Sequence, residues 1–241
     1  MTSPSPHNPF PTRRLLPALL AAGALVITGC QSARHTASAT QSRESQASIT
    51  PALALERLKA GNQRFVEGRP LPRNLAAQRQ STAAGQFPFA VVLSCLDSRT
   101  STEQIFDLGI GDVFNARVAG NVLNDDILGS MEFACAAAGA RLIAVVGHTS
   151  CGAVKGACEQ VKLGHLSGLL EKIQPAVART PSSPAGAGAA YVDAVSRNHV
   201  KLVMSQIRER SQLLADLIQS GKVGLVGGMY DLETGRVEFF D

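Results

Sequence analysis

Leu142-Ile143-Ala144-Val145-Val146 is an unbroken apolar run, and Ile143, Val145 and Val146 are β-branched. Successive side chains of a strand point to opposite faces. A strand with no polar position must therefore be covered on both sides, as in a parallel sheet wrapped by helices. Other strand signals surround it. Phe87 to Ser94 runs into Cys95, Asp112 to Val118 follows, Lys222 to Tyr230 comes late, and Arg236 to Phe240 closes the chain after a Glu233-Thr234-Gly235 turn. Helical spacing fills the gaps. Thr50-Pro51 starts one helix, carried by Ala52, Leu55, Leu58, Lys59, Asn62 and Phe65 and stopped by Gly68 and Pro70. Leu123 to Ala138 is a second, with Asn124, Asp125 and Asp126 at its start. Gly152–Leu163, His165–Ala178 and a long region from Ala189 to Ser220, interrupted near Asn198, complete the set, with a loop at Pro181–Gly186. The pattern predicts an α/β fold: a mostly parallel sheet of about five strands, one antiparallel edge strand, and flanking helices.

Two of the strands end in metal-binding residues. Cys95-Leu96-Asp97-Ser98-Arg99 follows the first, and His148-Thr149-Ser150-Cys151 follows the third. The C-terminal ends of parallel strands share one edge, so Cys95 and His148 can meet there although they lie far apart in sequence. Cys151 opens the next helix, where the positive end of the helix dipole favours a thiolate. Two thiolates and an imidazole suit zinc, and three protein ligands leave one position open, as in catalytic sites. Two thiolates offset the dication's charge, so bound water should be less acidic than at a three-imidazole site. Asp97 can orient whatever occupies the open position, and Arg99 can keep Asp97 ionised.

The remaining cysteines and histidines read differently. Cys158 lies two helical turns beyond Cys151, about 11 Å of rise, too far to share an ion. Cys135, among alanines, is expected to be a small buried apolar residue, and a Cys135–Cys158 disulfide is a minor alternative. His165 and His199 are expected on the surface, and His35 lies in a polar tether.

The N-terminus reads as an address. Arg13-Arg14 precedes an apolar stretch, Leu15 to Ile27, too short to span a bilayer comfortably. Ile27-Thr28-Gly29-Cys30 places small residues before a Cys, as in a bacterial lipobox. Residues 1–29 are thus read as a signal peptide and Cys30 as the lipidated mature N-terminus. The arginine pair also resembles a twin-arginine export signal. Residues 31–49, rich in Ser, Thr, Gln and Ala, are expected to be a flexible linker. The domain then spans 50–241. These features place the protein on the periplasmic face of a bacterial membrane, touching it only through the lipid.

The full chain carries a formal charge of +4, part of it on Arg13 and Arg14. That is too little for a nucleic-acid partner, and no basic cluster interleaved with aromatics is present. Aromatics make up only 5% of residues, so the core must be aliphatic.

Cys-x-Asp-x-Arg followed by His-x-x-Cys resembles the signature of the β-class carbonic anhydrases. Gly61-Asn62-x-Arg64-Phe65, Ala119-Gly120-Asn121, Gly129-Ser130-Met131-Glu132-Phe133, Val146-Gly147-His148 and Tyr230 to Gly235 also resemble segments of that family. The resemblance implies one zinc per subunit on Cys95, His148 and Cys151. It implies reversible hydration of carbon dioxide to bicarbonate and a proton through zinc-bound hydroxide, with Asp97 and Arg99 as an orienting dyad. Gln86, Phe114 and Asn121 would contact substrate. It also implies a homodimer or tetramer, with the N-terminal helix packed on the partner. Phe133 stands where plant-like members carry a Tyr, and Val92 where pH-switched bacterial members carry a Trp. The latter weakens the case for an inhibitory bicarbonate site and for a resting state in which Asp97 closes the metal sphere. Two alternatives accompany this reading: a same-fold zinc hydrolase of carbonyl sulfide or carbon disulfide, and a non-catalytic zinc- or bicarbonate-binding lipoprotein.

Overall fold

The computed structural model describes residues 39–181 and 188–241. The signal peptide, Cys30, His35 and most of the Pro181–Gly186 loop lie outside the described residues. Five strands form one sheet: β1 (Ala90–Ser94), β2 (Val113–Arg117), β3 (Leu142–His148), β4 (Gly224–Tyr230) and β5 (Val237–Phe240). Their order is β2-β1-β3-β4-β5. All neighbours are parallel except β4 and β5, which pair antiparallel at one edge. Every residue of β1 and β3 is buried, as their apolar sequences require.

The helices are α1 (Arg43–Ala47), α2 (Pro51–Val66), α3 (Leu75–Thr82), α4 (Thr102–Ile105), α5 (Asp125–Glu132), α6 (Gly152–Cys158), α7 (Leu166–Glu171), α8 (Gln174–Arg179), α9 (Ala189–Arg210) and α10 (Gln212–Gln219). No described helix is long and apolar enough to cross a membrane. One core layer lies beneath α9, α10 and α5, built on Val91, Leu93, Ile143, Val145, Val203 and Ile207. The other covers the opposite sheet face with Leu58, Phe89, Val92, Phe106, Ala144 and Val226.

The structure corrects four expectations. Residues 42–49 are folded against the domain rather than tethering it. Ser42 and Ser45 form a reciprocal capping box for α1. Buried Gln46 donates to the carbonyls of Pro88 and Ala138, at 2.7 and 2.8 Å. The long C-terminal helix does not break near Asn198, whose side chain donates to Thr180 Oγ1. It breaks at Ser211, which caps α10 by accepting from the Leu214 N–H. The 165–178 helix divides into α7 and α8, with Pro175 in the first turn of α8. Finally, His199 is buried, with 1% of its surface exposed. Cys135 is buried as expected, and Cys135 and Cys158 are both free thiols.

α2 explains one of the sequence motifs. A Cβ at Gly61 would sit 1.8 Å from the Phe106 carbonyl oxygen, so only glycine permits this approach. Asn62 donates to the carbonyls of Ile105 and Gly235 and accepts from the Val237 N–H. Arg64 pairs with buried Asp107. Gly-Asn-x-Arg-Phe is therefore a fastening between α2, the α4 turn and the edge hairpin.

Candidate metal centre

The site lies at the C-terminal ends of β1 and β3. Cys95 continues β1, His148 ends β3, and Cys151 stands just before α6. One ligand atom from each of the three lies within 4.8 Å of the others, and all three residues are buried. That span suits one zinc ion, given metal–sulfur and metal–nitrogen bonds of about 2.3 and 2.0 Å. His148 Nδ1 lies 2.9 Å from the Thr149 carbonyl oxygen, which fixes the proton on that nitrogen. Its Nε2 is buried without a partner, as a ligating nitrogen would be. The donor set and the orphaned Nε2 therefore fit a metal.

The neighbouring Cys151 thiol pushes the Cys95 thiol down, against the effect of burial. The same contact, together with burial, pushes Cys151 up. Two thiolates this close cannot both ionise unless a positive ion joins them.

Asp97 stands outside the three-residue cluster. Its Oδ1 accepts from the Arg99 backbone N–H and Nε at 3.0 and 2.9 Å, and its Oδ2 accepts from a terminal guanidinium nitrogen at 2.8 Å. This bidentate clamp holds the Asp97 carboxyl well below the usual carboxylate range. Asp97 faces Arg99 and is not one of the three clustered donors.

Arg117 is a residue the sequence reading missed. From the end of β2 it donates to the carbonyls of Cys95 and Asp97, at 3.0 and 2.7 Å. Thr100 Oγ1 also donates toward both carbonyls. These contacts fix the loop that carries the first ligand and the dyad. The only local signal was a cation at the end of an otherwise ordinary strand. On the other side, the His148–Cys151 turn is anchored to β4 by the Thr149 N–H, which donates to the Tyr230 carbonyl. Ser150, at φ 54°, is held there by Asp193.

The three expected substrate contacts fare differently. Asn121 is buried next to Gly120, whose N–H donates to Cys95 Sγ at 3.3 Å. Gln86 precedes β1 and is exposed, so it lies toward the opposite end of the strand from the ligands. Phe114 lies within β2 and packs edge-on against exposed Phe133, with ring centroids 6.0 Å apart. Within one chain neither residue joins the metal cluster.

A mostly parallel sheet with a Cys-His-Cys cluster at its carboxyl edge, an Asp–Arg clamp beside it and one antiparallel edge strand defines an α/β scaffold with a candidate metal centre. A family model described as carbonic anhydrase matches residues 90–237. A carbonic anhydrase of Mycolicibacterium smegmatis is 41% identical over 192 residues, covering 78% of this chain and 92% of the relative. Carbonic anhydrase 2 of Mycobacterium tuberculosis is 38% identical over 197 residues, covering 79% and 93%. The solved β-carbonic anhydrase CcaA superposes with a TM-score of 0.63 at 25% identity, over 78% of this chain and 87% of that one. The chain belongs to the β-class carbonic anhydrases.

Proposed function

We propose that this protein interconverts carbon dioxide and bicarbonate at one zinc ion per subunit, held by Cys95, His148 and Cys151. The observation that carries the reading is the convergence of three buried donor atoms within 4.8 Å of one another, beside a carboxylate clamped by arginine. A zinc ion there supplies Lewis acidity, which makes hydroxide available near neutral pH. Asp97 stays ionised and can only accept hydrogen bonds. It therefore selects a hydroxyl proton and turns the oxygen lone pair toward the substrate carbon. Arg99 holds Asp97 in that orientation, while Arg117 and Thr100 keep the loop from drifting.

Purified protein should contain about one zinc per subunit and hydrate carbon dioxide in stopped-flow assays. The rate should climb from neutral into alkaline pH because two thiolates temper the metal's charge. Negligible carbon dioxide turnover beside fast sulfide release from carbonyl sulfide would reverse the assignment.

The proposal extends to assembly and placement. β2 is an edge strand with Phe114 and Phe133 beside it, and Phe133 is exposed. A second copy meeting this edge would bury both rings and bring Gln86 and Phe114 toward the neighbouring metal centre. Light scattering should give a dimer or a multiple of one. The order of charge, apolar stretch, small residues and Cys30 supports export as a lipoprotein. Cys30→Ala should abolish metabolic labelling with palmitate and release the protein from membranes.

A further inference from the structure

Two residues, Thr149 and Ser150, separate His148 from Cys151, so their backbone sets how the imidazole and the second thiol face one another. Thr149 is tied to the closing hairpin. Its N–H donates to the Tyr230 carbonyl at 2.9 Å, and its hydroxyl accepts from the Leu232 N–H at 3.0 Å. Cys151 is tied to α6, its carbonyl accepting from the Lys155 N–H at 2.9 Å. Ser150 lies between these anchors in the left-handed region, at φ 54°. A residue with a Cβ stays in that region only when its surroundings hold it there. Ser150 is exposed, so burial of its side chain does not do this.

The restraint comes from a distant part of the chain. The Ser150 N–H donates to Asp193 Oδ1 at 2.8 Å, across 43 residues of sequence. A carboxylate is a stronger acceptor than a neutral oxygen. Asp193 stands near the start of α9, which packs on both β3 and α6. Those two elements carry His148 and follow Cys151, so the acceptor is presented from a scaffold common to both. Thr149 and Asp193 also line an open cleft of about 560 Å³ between α9 and the hairpin, together with Arg197, Asp231 and Arg236. Solvent on that side of the turn leaves hydrogen bonding, not packing, to fix Ser150.

We propose that Asp193 is a positioning residue: by holding the Ser150 N–H it keeps the turn left-handed at Ser150 and so presents the His148 ring and the Cys151 sulfur to one ion. The inference rests on the metal-site reading given above. Without the contact Ser150 would relax toward negative φ, and Cys151 would turn away from His148. Outer partners alter metal affinity by roughly 10–100-fold when removed. Asp193 belongs at the low end of that range, because it touches the backbone between two ligands and not a ligand itself.

The test uses the full chain, with zinc affinity measured by competition against a chelator and the Ser150 amide followed by hydrogen exchange in the zinc-free protein. Asp193→Ala should weaken zinc binding roughly 10-fold and strip the Ser150 amide of its protection. Asp193→Asn keeps an oxygen at the Oδ1 position and should retain most of both. Glycine takes φ 54° without strain, so Asp193→Ala should cost less zinc affinity in a Ser150→Gly background than in the unmutated chain. A brace that served only the stability of the fold would give none of this pattern. Unchanged zinc affinity in Asp193→Ala, an asparagine variant no better than alanine, or an equal loss in both backgrounds overturns the proposal. Exchange in the unmutated protein does not depend on a variant folding, and a Ser150 amide that exchanges freely there overturns it too. An unmutated protein that binds no zinc while its Ser150 amide stays protected would instead sink the metal-site reading, and this inference with it.

Discussion

Asp97 and Asp107 lie in the same stretch of chain, and each is gripped by arginine, yet they do opposite work. The Asp97 side chain is 17% exposed and its partner Arg99 is 57% exposed. After the clamp Oδ1 already accepts two hydrogen bonds, while Oδ2 accepts one and keeps acceptor capacity. Asp107 is 2% exposed and is held by Arg64 and Arg73 together. It also accepts from the Leu71 N–H, while Arg73 reaches round to the Asp107 carbonyl. Its backbone takes φ 45°, which these contacts stabilise. One carboxylate is left partly free to act on a third molecule. The other is saturated and pins α2 and the segment after it to the body. The same ion pair is a tool or a fastening according to burial and unused acceptor sites.

Removing the metal while leaving both aspartates in place would break this contrast most sharply. Cys151→Ser should reduce zinc to a trace and hydration by well over ~100-fold, since even outer partners cost up to that much. Elemental analysis and stopped-flow rates measure this, and activity surviving without zinc would show that Asp97 acts alone. Next in size, Asp107→Asn keeps the shape and tolerates the left-handed backbone but strands two arginines. It should lower unfolding free energy by about 3 kcal/mol, the low end for a broken buried pair because both arginines retain some solvent. Urea titration should show this, with turnover per folded molecule unchanged. Asp97→Asn should do the reverse, cutting kcat about 100-fold while zinc content holds and the urea midpoint falls less than in Asp107→Asn.

Acid provides a smaller and finer comparison. Arginine lowers the Asp97 carboxyl, and at Asp107 Arg73 and Arg64 overcome the upward push of burial. A depressed carboxylate stabilises the fold above its unfolded value, about 3.9. That contribution fades as pH falls through the lower, folded value. Urea midpoints should therefore drop below about pH 4. Asp97→Asn and Asp107→Asn should each blunt the drop, and a drop unchanged in both variants would show that neither pair contributes to it. Least of all, Arg197→Ala, which removes a surface pair with Glu238, should cost under about 1 kcal/mol.

The strands and the Cys95-His148-Cys151 cluster were legible because apolar runs and the residues at their ends are local signals. β1 and β3 declare two-sided burial, and parallel pairing then forces Cys95 and His148 to one edge. His199 was not legible, because α9 touches a sheet face and two further helices. A histidine on such a helix reaches the core without any change in the one-dimensional pattern. Arg117 escaped notice for a similar reason: its work is done across strands, on carbonyls that carry no side-chain signature. Ser42 and Ser211 look like ordinary polar residues until the N–H groups they cap are in view. Gln86 and Phe114 came from resemblance, and a single chain does not bring them to the ligands.

Drawing its donors from the ends of two neighbouring strands and the start of a helix has a kinetic consequence. A ribosome-bound chain that has released Cys95 but not His148 and Cys151 has no place to hold an ion. The pocket closes only after β1 and β3 have registered, a non-local event and therefore a slow one. An ion bound at this cluster would then be taken up late, by a nearly finished protein, rather than acting as its nucleus.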